Sequence, residues 1–268
     1  MLKDITLGQY FPGKSLIHRL DPRCKLIFLV LFIVAIFLAV NWVSYGLLLL
    51  LLVGSIWISN VPARSFVKGM KPLLFILVFT AGLNLFFTQG EKLLVDVWVI
   101  QIYAEGVLRA VFMLLRILML VMATFLLTYT TSPIALTDGL EGLLSPLKVI
   151  KVPVHELSMM MCIALRFIPT LIEETDKIMS AQKARGADFE TGSLMRRVKA
   201  LIPILVPLFI SAFRRADELA TAMECRCYQG GEGRTKMKLL RFVSWDYYAL
   251  ITGAAMIAAV CLLRSFGL

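Results

Sequence analysis

Apolar and polar positions fall into long blocks along this chain, and the blocks define its elements. From Leu26 to about Val43 the residues are apolar apart from Asn41, a run long enough to cross a hydrocarbon core of roughly 30 Å as a helix. Comparable runs cover Tyr45 to Ile58, Leu73 to Phe87 with Asn84 inside it, Val107 to about Thr130, and Tyr247 to Leu263. Five spans are therefore expected. Between the third and fourth, Leu94, Asp96, Trp98 and Ile100 alternate with Val95, Val97 and Val99. That period of two predicts a short interfacial hairpin or extended strand.

Residues 131–245 follow another pattern. No uninterrupted apolar run there is expected to span a membrane, and apolar residues instead recur at the spacing of one helical face. The first amphipathic helix opens at Ser132-Pro133 and stops near Pro146. The second begins near Pro153, carries Leu157, Met160, Met161, Ala164, Leu165, Ile168, Leu171, Ile172, Ile178 and Met179 on one face, and stops at Arg185-Gly186. Pro169 should kink it. The third runs from about Ser193 to Cys225-Arg226-Cys227, is bent by Pro203 and Pro207, and is supported by Arg214 and Glu218 at i, i+4.

Composition settles the class. Hydrophobic residues make up 59% of the 268 and mean hydropathy is +0.82, far above a soluble domain. The formal charge of +10 lies in the connecting segments, which suggests anionic headgroups and not nucleic acid. Lys3, Lys14, Arg19, Arg23 and Lys25 fill a polar leader over residues 1–25, with no cleavable signal peptide expected. The link 59–72 holds Arg64, Lys68 and Lys71, whereas 88–106 holds Lys92 alone. Positive residues stay inside, so the N-terminus is expected in the cytoplasm and, after five spans, the C-terminus outside. Arg116, deep in the fourth span, should face other helices or a wet cavity, because facing lipid would cost about 2.5–3.5 kcal/mol; an interhelix hydrogen bond is the expected role and a place on a transport path the alternative.

Candidate chemistry is sparse. Gly8 to Ser15 fits the phosphate-loop pattern G-x-x-x-x-G-K-[ST], yet only seven residues precede it and Pro22 follows too soon for the helix that pattern needs. A surface turn is the better reading. Cys24, Cys162, Cys225, Cys227 and Cys261 read as free thiols. His18 and His155 are the only histidines, so Cys225 and Cys227 lack partners for a four-ligand metal site. No Ser-His-Asp set or paired intramembrane carboxylate appears, and no catalytic residue, cofactor or metal is assigned.

What does stand out is a duplication. Ala184-Arg185-Gly186 and Cys225-Arg226-Cys227 each end a long amphipathic helix with an arginine between small residues, 41 positions apart. An arginine fork suits a carboxylate-lined pocket, and small neighbours admit a partner's backbone. Two such ends suit two similar partner surfaces.

At these residues the chain resembles a known family, the transmembrane T component of energy-coupling factor (ECF) vitamin transporters. The resemblance also covers Ser15 to Lys25 (S-x-x-H-x-L-D-P-R-x-K), Ala164-Leu165-Arg166-Phe167-Ile168-Pro169, Ala181 to Gly186 and Arg214 to Arg226. It implies an all-α integral membrane protein of the bacterial cell membrane, with about five transmembrane helices plus a cytoplasmic-side coupling domain of three amphipathic helices. The segments would be a leader (1–25), a membrane domain (26–130), the coupling domain (131–245) and a last span (246–268). It further implies a non-catalytic scaffold whose two x-Arg-x ends seat in two ABC-type ATPases, which bind the ATP, while the membrane part holds an exchangeable substrate-binding S component. Arg166, Pro169, Asp217 and Glu218 are candidates for supporting this coupling, with Arg166 expected to pair with an acid of a neighbouring helix. The family commonly has Ala-Arg-Gly at both sites. Cys-Arg-Cys keeps the arginine but loses the free φ of glycine, so two non-equivalent contacts, to non-identical ATPases, are expected. The alternative is a self-sufficient secondary carrier, against which the chain shows no clear repeated halves or midplane ionisable site.

Overall fold

The computed structural model describes residues 10–87, 93–97, 100–189, 193–231 and 240–266. The chain forms two compact units, Gly8–Leu140 with Leu240–Leu268, and Glu141–Leu239.

The first unit begins with α1 (Leu16–Arg19), α2 (Pro22–Leu38) and α3 (Trp42–Ser59). Asp21 accepts the Arg23 N–H at 2.9 Å and so caps α2, with Pro22 at its first position. The break between α2 and α3 falls at residues 39–41, earlier than expected, because Asn41 is the N-cap of α3. After α4 (Ala63–Met70), a 3-10 turn at Lys71–Leu73 absorbs Pro72 and leads into α5 (Leu74–Phe87). The link expected at 59–72 is thus largely helical. β1 (Leu93–Val97) and β2 (Ile100–Tyr103) then pair antiparallel, Val97 opposite Ile100 and Leu93 opposite Tyr103, with an irregularity between Leu93 and Val95. The pairing agrees with the anticipated hairpin; Trp98 and Val99 of the alternating stretch lie outside the described residues. α6 (Ala104–Thr130), the first part of α7 (Pro133–Leu144) and α10 (Ser244–Ser265) complete the unit.

Its core is where α2, α3, α6 and α10 meet. Phe32, Ala35, Ile36, Tyr45, Leu48, Met119, Met256 and Val260 are buried together. A Cβ at Gly253 would lie 3.1 Å from Leu31 and 3.2 Å from Phe28, so a small residue there lets α10 approach α2 closely. Arg116 reaches from α6 to α3, its Nη2 donating to the Tyr45 hydroxyl at 2.9 Å, and its guanidinium sits 5.5 Å from the Phe37 ring. The interhelix role expected for it is the one it has.

The S-x-x-H-x-L-D-P-R-x-K stretch forms a polar knot at one end of this bundle. The Ser15 hydroxyl donates to His18 Nδ1 at 2.6 Å, and His18 Nε2 donates to the Phe11 carbonyl at 2.9 Å. Lys25, only 8% exposed, gives its ammonium to the Thr130 carbonyl at 2.9 Å and to Thr131 Oγ1 at 3.2 Å. Asp246, 1% exposed, accepts the Asp21 N–H at 2.8 Å on one oxygen and the Val243 N–H at 2.7 Å on the other. Ser15 caps a four-residue helix and its hydroxyl is engaged by His18, consistent with a surface turn in place of a phosphate loop. Gly8 and Gln9 of that pattern lie outside the described residues.

The second unit holds the end of α7, a 3-10 turn at Ser145–Ile150, α8 (Val154–Ala184) and α9 (Leu194–Glu224). His155 Nδ1 lies 3.1 Å from Glu141 Oε1, and a Cβ at Gly231 would meet the His155 ring at 2.5 Å. The segment after α9 therefore returns to the start of α8.

Among the described residues five helical stretches are long and apolar enough to cross a membrane: Trp42–Ser59, Ala63–Leu85, Ala104–Thr130, Val154–Ala184 and Ser244–Ser265. The number matches expectation, but the set differs. α2 has 17 residues, roughly 25 Å at 1.5 Å per residue, because it ends at Leu38 and not near Val43. α8 qualifies by length and mean composition, although Glu156, Arg166 and Glu173 interrupt its apolar run.

Candidate coupling site

Both arginine stretches end their helices in the same way. At the end of α8, the Ala187 N–H donates to the Gln182 carbonyl and the Gly186 N–H to the Lys183 carbonyl, each at 3.0 Å, with Gly186 at φ +87°. At the end of α9, the Tyr228 N–H donates to the Met223 carbonyl at 3.1 Å and the Cys227 N–H to the Glu224 carbonyl at 2.8 Å, with Cys227 at φ +55°. These are the paired hydrogen bonds of a Schellman ending, which satisfy carbonyls the helix leaves open. Arg185 and Arg226 hold the same place in it, immediately before the left-handed residue.

The loss of glycine at the second site therefore does not change the backbone. The hydrogen-bonded ring requires a left-handed residue there, and Cys227 supplies it at a conformational cost of about 1–2 kcal/mol. Ala184, Arg185, Gly186, Cys225, Arg226 and Cys227 are all exposed.

One cluster ties the two helices together. Glu174 of α8 accepts the Ser211 hydroxyl at 2.7 Å on Oε1 and the Arg215 guanidinium at 3.1 Å on Oε2, both from α9. Arg185 lies eleven positions beyond Glu174, and Arg226 eleven beyond Arg215. At 1.5 Å per residue each arginine stands on an arm of roughly 16 Å measured from a single ion pair. The arms also correspond in sequence: aligned on their arginines, Asp176 matches Asp217, Ile178 matches Leu219 and Ala181 matches Ala222, while Glu173-Glu174 faces Arg214-Arg215 with opposite charge.

The family described as "Cobalt transport protein", CbiQ, matches residues 13–237. The "Energy-coupling factor transporter transmembrane protein EcfT" of Ruminiclostridium cellulolyticum is 53% identical over 260 residues, 96% of this chain and 95% of that protein. Proteins of the same description from Clostridium kluyveri and Bacillus subtilis are 51% and 48% identical, each over 265 residues, covering 98% and 99% of this chain and 98% and 100% of theirs. The chain belongs to this family of ECF transmembrane components.

As a family member it carries its polar chemistry in unexpected places. Arg166 and Pro169 are exposed, and among the described residues Arg166 meets no acid. Asp217 and Glu218 are exposed as well; Asp217 offers only its carbonyl, which accepts the Thr221 hydroxyl at 2.9 Å. The expected Arg214 and Glu218 pair is not formed among the described residues; both instead line a shallow cleft with Phe167, Ser211, Arg215 and Leu219. Sequence reading missed Glu174, Ser211 and Arg215. The separation of 41 shared by Glu174/Arg215 and Arg185/Arg226 was the available signal. The five cysteines are free thiols, and among the described residues no group of three or more metal-ligating side chains gathers.

Proposed function

We propose that this chain is the non-catalytic coupling subunit of an ECF transporter, passing ATP-driven motion of two ABC ATPases to a substrate-binding S component for vitamin uptake. The observation that carries the reading is the pair of equal arms, each ending in an exposed arginine in the same Schellman turn, on either helix of one ion pair. Ala184, Arg185 and Gly186 make one contact and Cys225, Arg226 and Cys227 the other. Each guanidinium enters an acid-lined groove of one ATPase, and closure of the ATPases changes the separation of the two ends. A pin at Glu174, Ser211 and Arg215 lets α8 and α9 turn that change into a change of crossing angle. Arg166, Pro169, Asp217 and Glu218, exposed along the same helices, support this coupling from the surface.

Since the two backbones match, the difference between the contacts lies in the flanking side chains, alanine and glycine against two thiols. Two non-identical ATPases accommodate that difference. ATP binds to those partners, and the vitamin to an S component that can be exchanged. In the cell membrane the leader (1–25) and the coupling segment (131–245) face the cytoplasm, in keeping with their Lys and Arg excess; α8 belongs to that segment although it is long and apolar enough to cross, and four spans in 26–130, α2 among them, with the last in 246–268 leave the C-terminus outside. Bilayer lipid is the remaining partner.

Co-expression with its ATPases and an S component tests the proposal. Arg185→Glu combined with Arg226→Glu should abolish ATPase co-purification and vitamin uptake while the chain stays in the membrane. Wild-type uptake by the double variant would overturn it.

A further inference from the structure

The end of the α2, α3, α6 and α10 bundle that carries the polar knot holds a cavity of about 280 Å³. Its lining falls at 24–32 in α2, 51–58 in α3, 123–130 in α6 and 245–252 in α10, so the wall runs roughly 10–12 Å along each helix. Phe32, Leu52 and Ala123 belong to the buried core and form its floor, and Phe28, Leu126 and Ala249 continue the apolar wall. The polar side chains of the lining are turned onto backbone carbonyls. The Ser55 hydroxyl donates to Leu51 at 2.8 Å, Thr130 to Leu126 at 2.7 Å, Thr252 to Ala249 at 2.8 Å, and the Cys24 thiol to Asp246 at 3.3 Å. A water there finds few of the two to four polar partners it needs, whereas apolar cavities of about 150 Å³ stay dry and take up benzene. The space suits an alkyl chain.

The most exposed lining residues, Leu16, Ile58, Trp245 and Tyr248, mark its mouth. Tryptophan and tyrosine favour the level of lipid headgroups. Surface charge at this end is one-sided. Asp21 and Asp246 are buried, their carboxylates taken by backbone N–H groups, while Lys14, Arg19 and Arg241 are exposed. Lys25 lines the cavity itself, its ammonium held by Thr130 and Thr131 and, among the described residues, by no carboxylate. We propose that this cavity holds one acyl chain of a phospholipid whose anionic headgroup rests at the mouth beside these cations; this rests on the placement of α2, α3, α6 and α10 in the bilayer. The chain touches all four helices at once and supplies packing that their own side chains leave out at this end. Lipid is thereby a bound component of the bundle and not only its solvent.

The test reconstitutes the full chain in bilayers carrying phosphatidylglycerol with a photoactivatable diazirine in one acyl chain, and maps the adducts by mass spectrometry. Adducts should concentrate on 24–32, 51–58, 123–130 and 245–252, above the level on the exposed Phe75 and Phe79 of α5. Unlabelled phosphatidylglycerol should displace them at about one fifth of the phosphatidylcholine needed, the factor that one nearby basic residue supplies. Ala249→Phe and Ser55→Phe, which fill the space, should cut cavity adducts at least fivefold and leave those on α5 unchanged. The competition arm needs no variant, so it stands even where a filled cavity fails to fold. Equal competition by the two phospholipids would overturn the anionic headgroup, and displacement by oleate alone would overturn the phospholipid. Adducts on α5 without cavity adducts would overturn the site with the membrane placement intact, whereas absence of both would sink the placement. Cavity adducts lost when an S component assembles with the chain would overturn lipid as the occupant in the transporter.

Discussion

Glu174 and Arg215 form an ion pair at 3.1 Å between α8 and α9, and they are separated by the same 41 positions that separate Arg185 from Arg226. The equality fixes two arms of the same length and helical phase, so turning about the pair displaces both arginines alike.

Phase should therefore matter more than charge at intermediate positions. One alanine inserted after Lys177 rotates Arg185 by about 100° around α8 while leaving Glu174 in place. Vitamin uptake should fall at least tenfold with membrane insertion unchanged. Retained uptake in a cell-based assay would mean that the arm is not read as a rigid helix.

The pin itself is partly exposed, with side chains 26% and 31% accessible. Its strength should accordingly be modest, about 0.5–1 kcal/mol of coupling in a double-mutant cycle of Glu174→Gln and Arg215→Met, measured by thermal unfolding in detergent. Ser211→Ala should remove a comparable hydrogen-bond contribution, about 1 kcal/mol.

The two left-handed residues should respond oppositely to substitution. Cys227→Gly relieves a left-handed non-glycine residue and should stabilise the chain by about 1 kcal/mol, whereas Gly186→Ala should cost a similar amount. Differential scanning fluorimetry of the two variants decides the point, and destabilisation by Cys227→Gly would contradict the turn assignment.

Asp246 accepts two backbone N–H groups in a buried setting. Asp246→Ala strands both donors and should cost about 2–4 kcal/mol, and Asp246→Asn, which keeps one acceptor, should cost less. The melting temperatures should fall in that order.

Protonation of His18 provides a pH signature. Burial holds its imidazole below the ordinary value of 6.5, against the hydrogen bond to the Phe11 carbonyl and with help from the Lys25 charge. The folded state thus favours the neutral ring, and the unfolded chain takes up the proton first. Its contribution to stability is fully present above 6.5 and is lost as pH falls below that value toward the depressed folded pKa. Melting temperature should drop on acidification through this window, and His18→Gln should flatten that part of the profile.

An assay of the purified chain alone separates the coupling role from autonomous carriage. Liposomes containing only this protein should accumulate no vitamin above empty vesicles. Uptake without ATPase partners would favour a secondary carrier.

Sequence alone determined the helical membrane class, the long runs at α3, α6 and α10, the β-hairpin and the position of the two arginine ends. Hydrophobic period, turn residues and charge are local signals, and each of these features is set within a few residues of itself. Helix ends such as Leu38 were less legible, because they depend on where a neighbouring cap wins. Tertiary structure decided the remainder. The acceptor for the Arg116 guanidinium lies 71 positions away at Tyr45, and that for the Asp21 N–H 225 positions away at Asp246. No periodicity reports such distant partners, since they are fixed by which helix faces pack. The same holds for the arginine pair. Their spacing could be counted along the chain, but their equivalence required two further facts: that Glu174 meets Arg215, and that Cys227 enters the conformation glycine would have taken. Both follow from backbone hydrogen bonds and helix packing that the residue letters do not carry.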